Sequence, residues 1–182
     1  MKQLTLLLIL ATLFSTCGDD DDTVDPYNAE LALEIVTGIQ LRDANAAPIG
    51  QLGNPNTRAE EVDIYPNPAL GVANILYFGG ASLQVQQYWI FAADPTTEYA
   101  NVDYQTVLAN DTYSADEVSD LNVVQTNVVN QSSFAVNLED LTAGYYRIFY
   151  LMSNGTLLWD NLYVDPNGDS PELLVNEIAG DW

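Results

Sequence analysis

Asp63-Ile-Tyr-Pro-Asn-Pro-Ala-Leu-Gly-Val-Ala-Asn-Ile-Leu-Tyr-Phe78 is the stretch whose reading decides the fold. Proline fixes its own φ at about −65° and pushes the preceding residue out of the helical region. Pro66 and Pro68 therefore predict an extended Tyr65–Pro68 with no backbone N–H at either proline. Beyond Gly71, residues Val72–Phe78 are rich in β-formers. A strand, a stiff corner and a second strand belong at the rim of a β-sandwich, not in an active-site loop.

The flanks extend this pattern. Leu31, Leu33, Ile35, Ile39 and Leu41 fall on alternate positions, which predicts a half-buried strand over 30–42. Asp43–Glu61 carries Pro48, Gly50, Gly53, Asn54 and Pro55 without a clear period and reads as a loop or linker. After Gly79-Gly80, Ser82–Ala92 puts Leu83, Val85, Trp89 and Phe91 on one face, broken by Gln87. Asp94–Leu121 is polar and acidic, with a short strand expected at Tyr104–Ala109, and reads as a functional loop or an insertion. Asn122–Val129 and Ser133–Leu138 are two more expected strands. Asn154-Gly155 between two apolar runs is a strong hairpin signal. A two-residue turn there sets Tyr146, Ile148, Tyr150 and Met152 opposite Tyr163, Asn161, Trp159 and Leu157 as a core face. It also leaves Arg147 diagonal to Asp160 on the outer side, in reach of an ion pair. Ser170-Pro171 before Leu173, Leu174, Val175 and Ile178 predicts a short C-terminal helix.

Composition narrows the chemistry. The chain has 182 residues, 48% of them apolar, and eleven tyrosines, enough for a packed domain with appendages. Four Lys+Arg against 26 Asp+Glu give a net charge of −22, which argues against nucleic acid as a partner. With no histidine, and Cys17 as the lone cysteine, neither a Ser-His-Asp or Cys-His site, nor a His- or Cys-ligated zinc, nor an intrachain disulfide can be built.

The first residues read as an address. Met1-Lys2 precedes an apolar run, Leu4–Phe14, too short to span a bilayer as a helix. Phe14-Ser15-Thr16-Cys17 follows, then Gly18-Asp19-Asp20-Asp21-Asp22. This segment resembles a bacterial lipoprotein signal, which implies cleavage before a lipidated Cys17. Thr16 departs from the small residue usual there. The acidic run is similar to the surface-export signal of Bacteroidetes lipoproteins. The expected organisation is a signal peptide at 1–16, a lipidated acidic tether at 17–29 and an N-terminal strand and linker at 30–61. A sandwich at 62–164 and a tail at 165–182 complete it. Asp22-Thr23-Val24 also fits a short O-glycosylation pattern of that bacterial group.

Tyr65-Pro66-Asn67-Pro68-Ala69 followed by Val72 and Ile75, and Leu141-Thr142-Ala143-Gly144-Tyr145-Tyr146-Arg147-Ile148, are similar to the two motifs of the type IX secretion C-terminal sorting domain family. That resemblance covers 62–164 and implies an antiparallel, immunoglobulin-like β-sandwich of about seven strands. It departs from the family in the lengthened middle, Asp94–Leu121, and in the stretch Asp165–Trp182, which has no basic residue.

Several residues are candidates for a site. Tyr99, Tyr104 and Tyr113, in the acidic stretch, are candidate ligand-binding rings because an amphipathic ring stacks on sugar or peptide while its hydroxyl stays wet. Trp89 and Trp159 are read as core. Asp165, Asn167 and Asp169 have the 1-3-5 spacing of a calcium loop, though Ser170 and Asn176 stand where that loop needs Gly and Glu. A plain Asp-Pro-Asn-Gly turn accounts for them equally. The carboxylate pairs Glu60/Glu61 and Asp116/Glu117 have nothing in the sequence to bring them together as a hydrolytic pair. The expectation is a lipid-anchored module at the outer membrane and cell surface, binding, adhesive or accessory, and not an enzyme. Its partners would be the membrane and an outer-membrane or secretion-machinery protein or a glycan, with no cofactor beyond a candidate calcium. A type IX secretion cargo and a calcium-dependent carbohydrate-binding module stay open as alternatives.

Overall fold

The computed structural model describes residue 33, residues 35–110 and residues 113–182. The chain divides into Met1–Glu30 and Leu31–Trp182, and the architecture below is that of the second unit. The readings of residues 1–29, including Cys17, lie outside the described residues.

In chain order the elements are β1 (Ile35–Val36), β2 (Gly38–Arg42), β3 (Pro48–Gly53), β4 (Val62–Tyr65), β5 (Val72–Tyr77) and β6 (Val85–Pro95). Two short helices, α1 (Tyr104–Asn110) and α2 (Ala115–Ser119), precede β7 (Gln125–Gln131), β8 (Ser133–Asn137), β9 (Gly144–Met152) and β10 (Leu157–Val164). Helix α3 (Pro171–Ile178) and a 3-10 turn at Ala179–Asp181 follow. One antiparallel sheet has the order β4-β5-β8; the other runs β7-β6-β9-β10, with β1 parallel to the end of β6. Lettered in the immunoglobulin manner from β4 as A, this is A-B-E against C′-C-F-G. That is a Greek-key sandwich of seven antiparallel strands, immunoglobulin-like in topology.

The quoted stretch is strand A, the A–B corner and strand B. Both of its X–Pro bonds, Tyr65–Pro66 and Asn67–Pro68, are cis, where the sequence alone suggests a plain extended run. Asn67 between them is fully buried. Its Nδ2 donates to the carbonyls of Gln40 and Asn161, each at 2.8 Å, and its Oδ1 accepts from Tyr163 N at 3.2 Å. The corner thus staples β2 and β10 together. Ala69 adds a parallel bridge to Val164.

The principal core lies between the sheets, with Ile64, Ile75 and Val136 on one side meeting Tyr88, Ile148 and Leu162 on the other. The second motif is also structural. Tyr146, on strand F just after the E–F corner, donates its hydroxyl to Thr142 O at 2.7 Å, the tyrosine corner of immunoglobulin-like sandwiches.

A second core covers the outer face of the larger sheet. Trp89, Phe91, Phe149 and Trp159 pack there under Tyr104, Leu108 and Val118 from the two helices. Because both of its faces are buried, β9 reads as a continuous apolar run, and alternation cannot tell its sides apart. The C-terminal helix forms as the Ser170 cap and Pro171 predict, and a third cluster sets its Ile178 with Val36, Ile39, Leu41 and Tyr145.

Five expectations change. The single strand expected over 30–42 divides at Thr37 into β1, which pairs with the end of β6, and β2, which pairs with β3. Asp43–Glu61 contains β3, which pairs with β2 from Gly38↔Gly53 onward, so part of this linker is a hairpin arm. Tyr104–Ala109 is helical, not a strand: Tyr104, Val107 and Leu108 stand at i, i+3 and i+4 and are all buried. In β6 a bulge between Val85 and Gln87 sends Val85 to the inter-sheet core and Trp89 and Phe91 to the outer one, so the four expected face-mates part. The last hairpin closes through Ser153-Asn154-Gly155, with Gly155 at φ 84° and Met152 N bonded to Thr156 O. That extra residue pairs Leu157 with Leu151 and moves the register by one, which trades the faces of β10. Arg147 and Asp160 therefore point to opposite sides of the sheet and form no ion pair.

Replacing Tyr146 by Phe removes the corner hydrogen bond while keeping the ring. We expect the unfolding free energy in urea to fall by about 1–2 kcal/mol with an unchanged slope.

Candidate functional site

The β2–β3 hairpin, the strap 54–60 and the start of α1 enclose a cleft of about 420 Å³. Gln40 and Arg42 come from β2, Gln51 from β3, Asn54, Thr57 and Glu60 from the strap, Asp103, Tyr104 and Gln105 from the α1 side, and Asp160 from β10. Local chemistry holds each wall. Asp103 caps α1 by accepting from Thr106 N and Oγ1, which lowers its carboxyl below the ordinary value. Asn54 Nδ2 donates to Ala100 O and Val102 O at 3.1 and 2.9 Å, tying the strap to the α1 side. Gln40 Nε2 reaches Gln51 Oε1 across the hairpin at 3.2 Å.

Arg42 links the floor. Its Nε lies 2.9 Å from Asp63 Oδ1 and its other nitrogen 3.2 Å from Asp160 Oδ2, so one guanidinium serves two carboxylates. Asp160 is 1% exposed. Burial pushes its carboxyl up from 3.8 to about 6, with Arg42 and the Asn161 N–H pulling the other way. The floor is thus a half-desolvated triad with one negative charge in excess when all three groups are ionised.

A separate polar network clamps the strap. Arg147, fully buried, donates from Nε to Asn161 Oδ1 at 3.2 Å and from a terminal nitrogen to Ile35 O at 2.6 Å. Burial lowers it to about 10, opposed by Tyr113 and Tyr104 beside it. Asn161 Nδ2 donates to Gly38 O and Asn56 Oδ1, and Trp159 Nε1 donates to Asn56 O at 2.9 Å. Arg58 and Trp159 complete a backbone bridge.

Of the three candidate tyrosines, Tyr104 lines the cleft but is only 4% exposed, with its hydroxyl donating to Tyr99 O. Tyr99 and Tyr113 are half-buried against the outer core, Tyr113 edge-on to Phe149 and to Trp159 at 5.7 and 5.0 Å. All three have the core partners that the sequence does not reveal. Asp165 accepts from Asn167 N at 2.9 Å, an Asx turn at 165–167 between β10 and α3, and Asp169 follows it in the same connection. Among the described residues no three His, Cys, Asp or Glu side chains gather as a metal group. Glu117 forms a capping box with Ser114, and Glu61 accepts from the Tyr77 hydroxyl, while Glu60 stands on the cleft wall. The carboxamides and Asp160, which make the site, escape sequence reasoning because they are drawn from five separate segments. The signals present were the Asp103–Thr106 and Ser114–Glu117 cap spacings.

Asp160 carries a testable sign. Its native value lies above its unfolded one, so between about 4 and 6 the folded chain holds a proton that the unfolded chain has released, and this group's share of stability falls as pH rises. Urea midpoints for wild type and Asp160→Asn should therefore diverge across that window. The wild type loses stability relative to the variant on going up in pH.

No family model matches the chain, and no curated protein does. Three solved chains are similar in fold. A DUF3244 family protein with an immunoglobulin-like β-sandwich fold from Bacteroides vulgatus superposes with a TM-score of 0.34 at 9% identity, covering 59% of this chain and 89% of that one. A superoxide reductase (neelaredoxin) from Ignicoccus hospitalis gives 0.30 at 6% identity over 60% and 80% of the two chains. The fold assignment rests on the strand order and not on these likenesses.

Proposed function

We propose that this chain is a lipid-anchored, non-enzymatic binding module of the outer-membrane surface that takes a hydroxyl-rich glycan in the cleft. The lining carries the reading. Gln40, Gln51 and Gln105 each offer a donor and an acceptor, the pairing a sugar hydroxyl uses, while Asn54 offers its Oδ1 as an acceptor and Thr57 adds a hydroxyl. The Gln40–Gln51 contact and the Asn54 ties hold that lining in place before a ligand arrives, which lowers the ordering cost of binding. The carboxylates Glu60, Asp103 and Asp160 against Arg42 favour neutral or amino sugars over acidic ones. The anchor rests on the apolar run Leu4–Phe14 and Cys17. The type IX cargo reading draws on the two sorting-domain motifs. Packing accounts for both, Asn67 as a staple and Tyr146 as a corner, so the resident module is the better supported of the two.

Two measurements test the two halves of this reading. Metabolic labelling with a palmitate analogue should mark the wild-type chain and leave Cys17→Ala unmarked; label on the variant removes the anchor. On a glycan array the full chain should retain neutral or amino-sugar ligands. Gln51→Ala or Gln105→Ala should weaken them roughly tenfold, as losing one or two hydrogen bonds requires. An array with no retained glycan, or one unaffected by both substitutions, removes the cleft.

A further inference from the structure

We propose that two copies of this chain pair edge to edge through β7, joining their β7-β6-β9-β10 sheets across a two-fold axis. Strand β7 hydrogen-bonds to β6 on one side and to no other strand among the described residues. It leads through Ser132 into β8, the open edge of the opposite sheet, so both sheets end on the same flank. Natural edges are guarded by Lys, Pro or inward charges. Gln125–Val128 has none of these, and the bulge that is a further such guard lies beyond it, at Val129-Asn130 opposite Gln86.

Charge and apolar exposure single out the same flank. No Asp, Glu, Lys or Arg occurs in residues 64–93 or 122–138. Those ranges take in all of β5, β7 and β8, and all of β6 but its last two residues. Elsewhere the chain carries its whole charge of −22. Two of the exposed large hydrophobics among the described residues lie on this edge or beside it: Val124 just before β7 and Val128 within it, the latter 62% exposed. Two chains of this acidity repel one another over most of their surface and can meet where charge is absent. A basic foreign partner would gain nothing from this flank and everything from the acidic remainder. The flank suits a second copy.

The register follows from the backbone. Asn130 has φ 52°, which ends the extended run, so Gln125–Val129 is the usable edge and Asn127 its centre. Two-fold antiparallel pairing about Asn127 sets it opposite its own copy, and Thr126 opposite Val128 of the second chain on one face. Directly opposed Cα atoms in such a pair lie about 4.5–5.5 Å apart, inside the range a disulfide spans.

The test uses the full chain carrying Cys17→Ala in mild detergent, so that an introduced cysteine is the single thiol. Sedimentation equilibrium should show a monomer–dimer equilibrium, weakened roughly tenfold or more by Val128→Lys, which sets a charge on the edge. Under mild oxidation Asn127→Cys should give a covalent dimer at a rate well above that of Ile49→Cys, an exposed control on β3. A chain that stays monomeric at millimolar concentration, a dimer indifferent to Val128→Lys, or equal cross-linking at both cysteines overturns the proposal. So does Asn127→Cys that links to a foreign chain and not to itself.

Discussion

Asn161 is the residue on which the rest of the structure depends. Its side chain accepts from Arg147 on the neighbouring strand and donates to Gly38 at the start of β2 and to Asn56 in the strap. Its carbonyl accepts from Asn67 in the A–B corner, and its N–H donates to Asp160. One fully buried residue thus joins the last strand of the sandwich to two segments that precede it in sequence and to its own A–B corner. A buried amide with every partner in place is directional and strong, and one left half-satisfied is costly, so the network admits one arrangement of these segments.

That arrangement explains the cleft. A plain sandwich would leave the outer face of its larger sheet to water. Here the aromatic residues Trp89, Phe91, Phe149 and Trp159 make that face apolar, and chain from outside the sandwich has to cover it. Helices as short as α1 and α2 are not stable alone. Burying Leu108 or Val118 supplies on the order of 1.5–3 kcal/mol each and holds them down. Where the hydrophobic cover from 102–108 and 113–118 meets the strap 54–60, the two do not close over Arg42 and Asp160, and the polar gap is the cleft. The site is a by-product of covering the second face, and the charges at its floor are kept by burial and pairing together.

The two motifs at Tyr65–Ile75 and Leu141–Ile148 are packing devices in this chain. The Asn of Tyr65-Pro66-Asn67-Pro68 staples two strands, and the Tyr of Leu141-x-x-Gly144-x-Tyr146 closes the E–F corner. The same distinction between architecture and use runs through the loop tyrosines, whose rings are spent on the outer core, and through Asp165, whose carboxylate is spent on a turn.

The amino-acid sequence determined by itself what depends on neighbours along the chain. Its β-rich runs, proline corner and turns set the sandwich, the Ser170-Pro171 cap set the last helix, and the absence of histidine closed off whole classes of chemistry. The tertiary structure alone decided what depends on a count or on distant partners. One extra residue in the Ser153–Gly155 loop and one bulge near Gln86 each reversed a face, because side chains alternate with period two and a single-residue slip inverts them all. With both faces of the larger sheet buried, hydrophobic pattern carried no information about which side was which. The partnership of Arg42 with Asp160 spans 118 residues, and no local spacing could announce it.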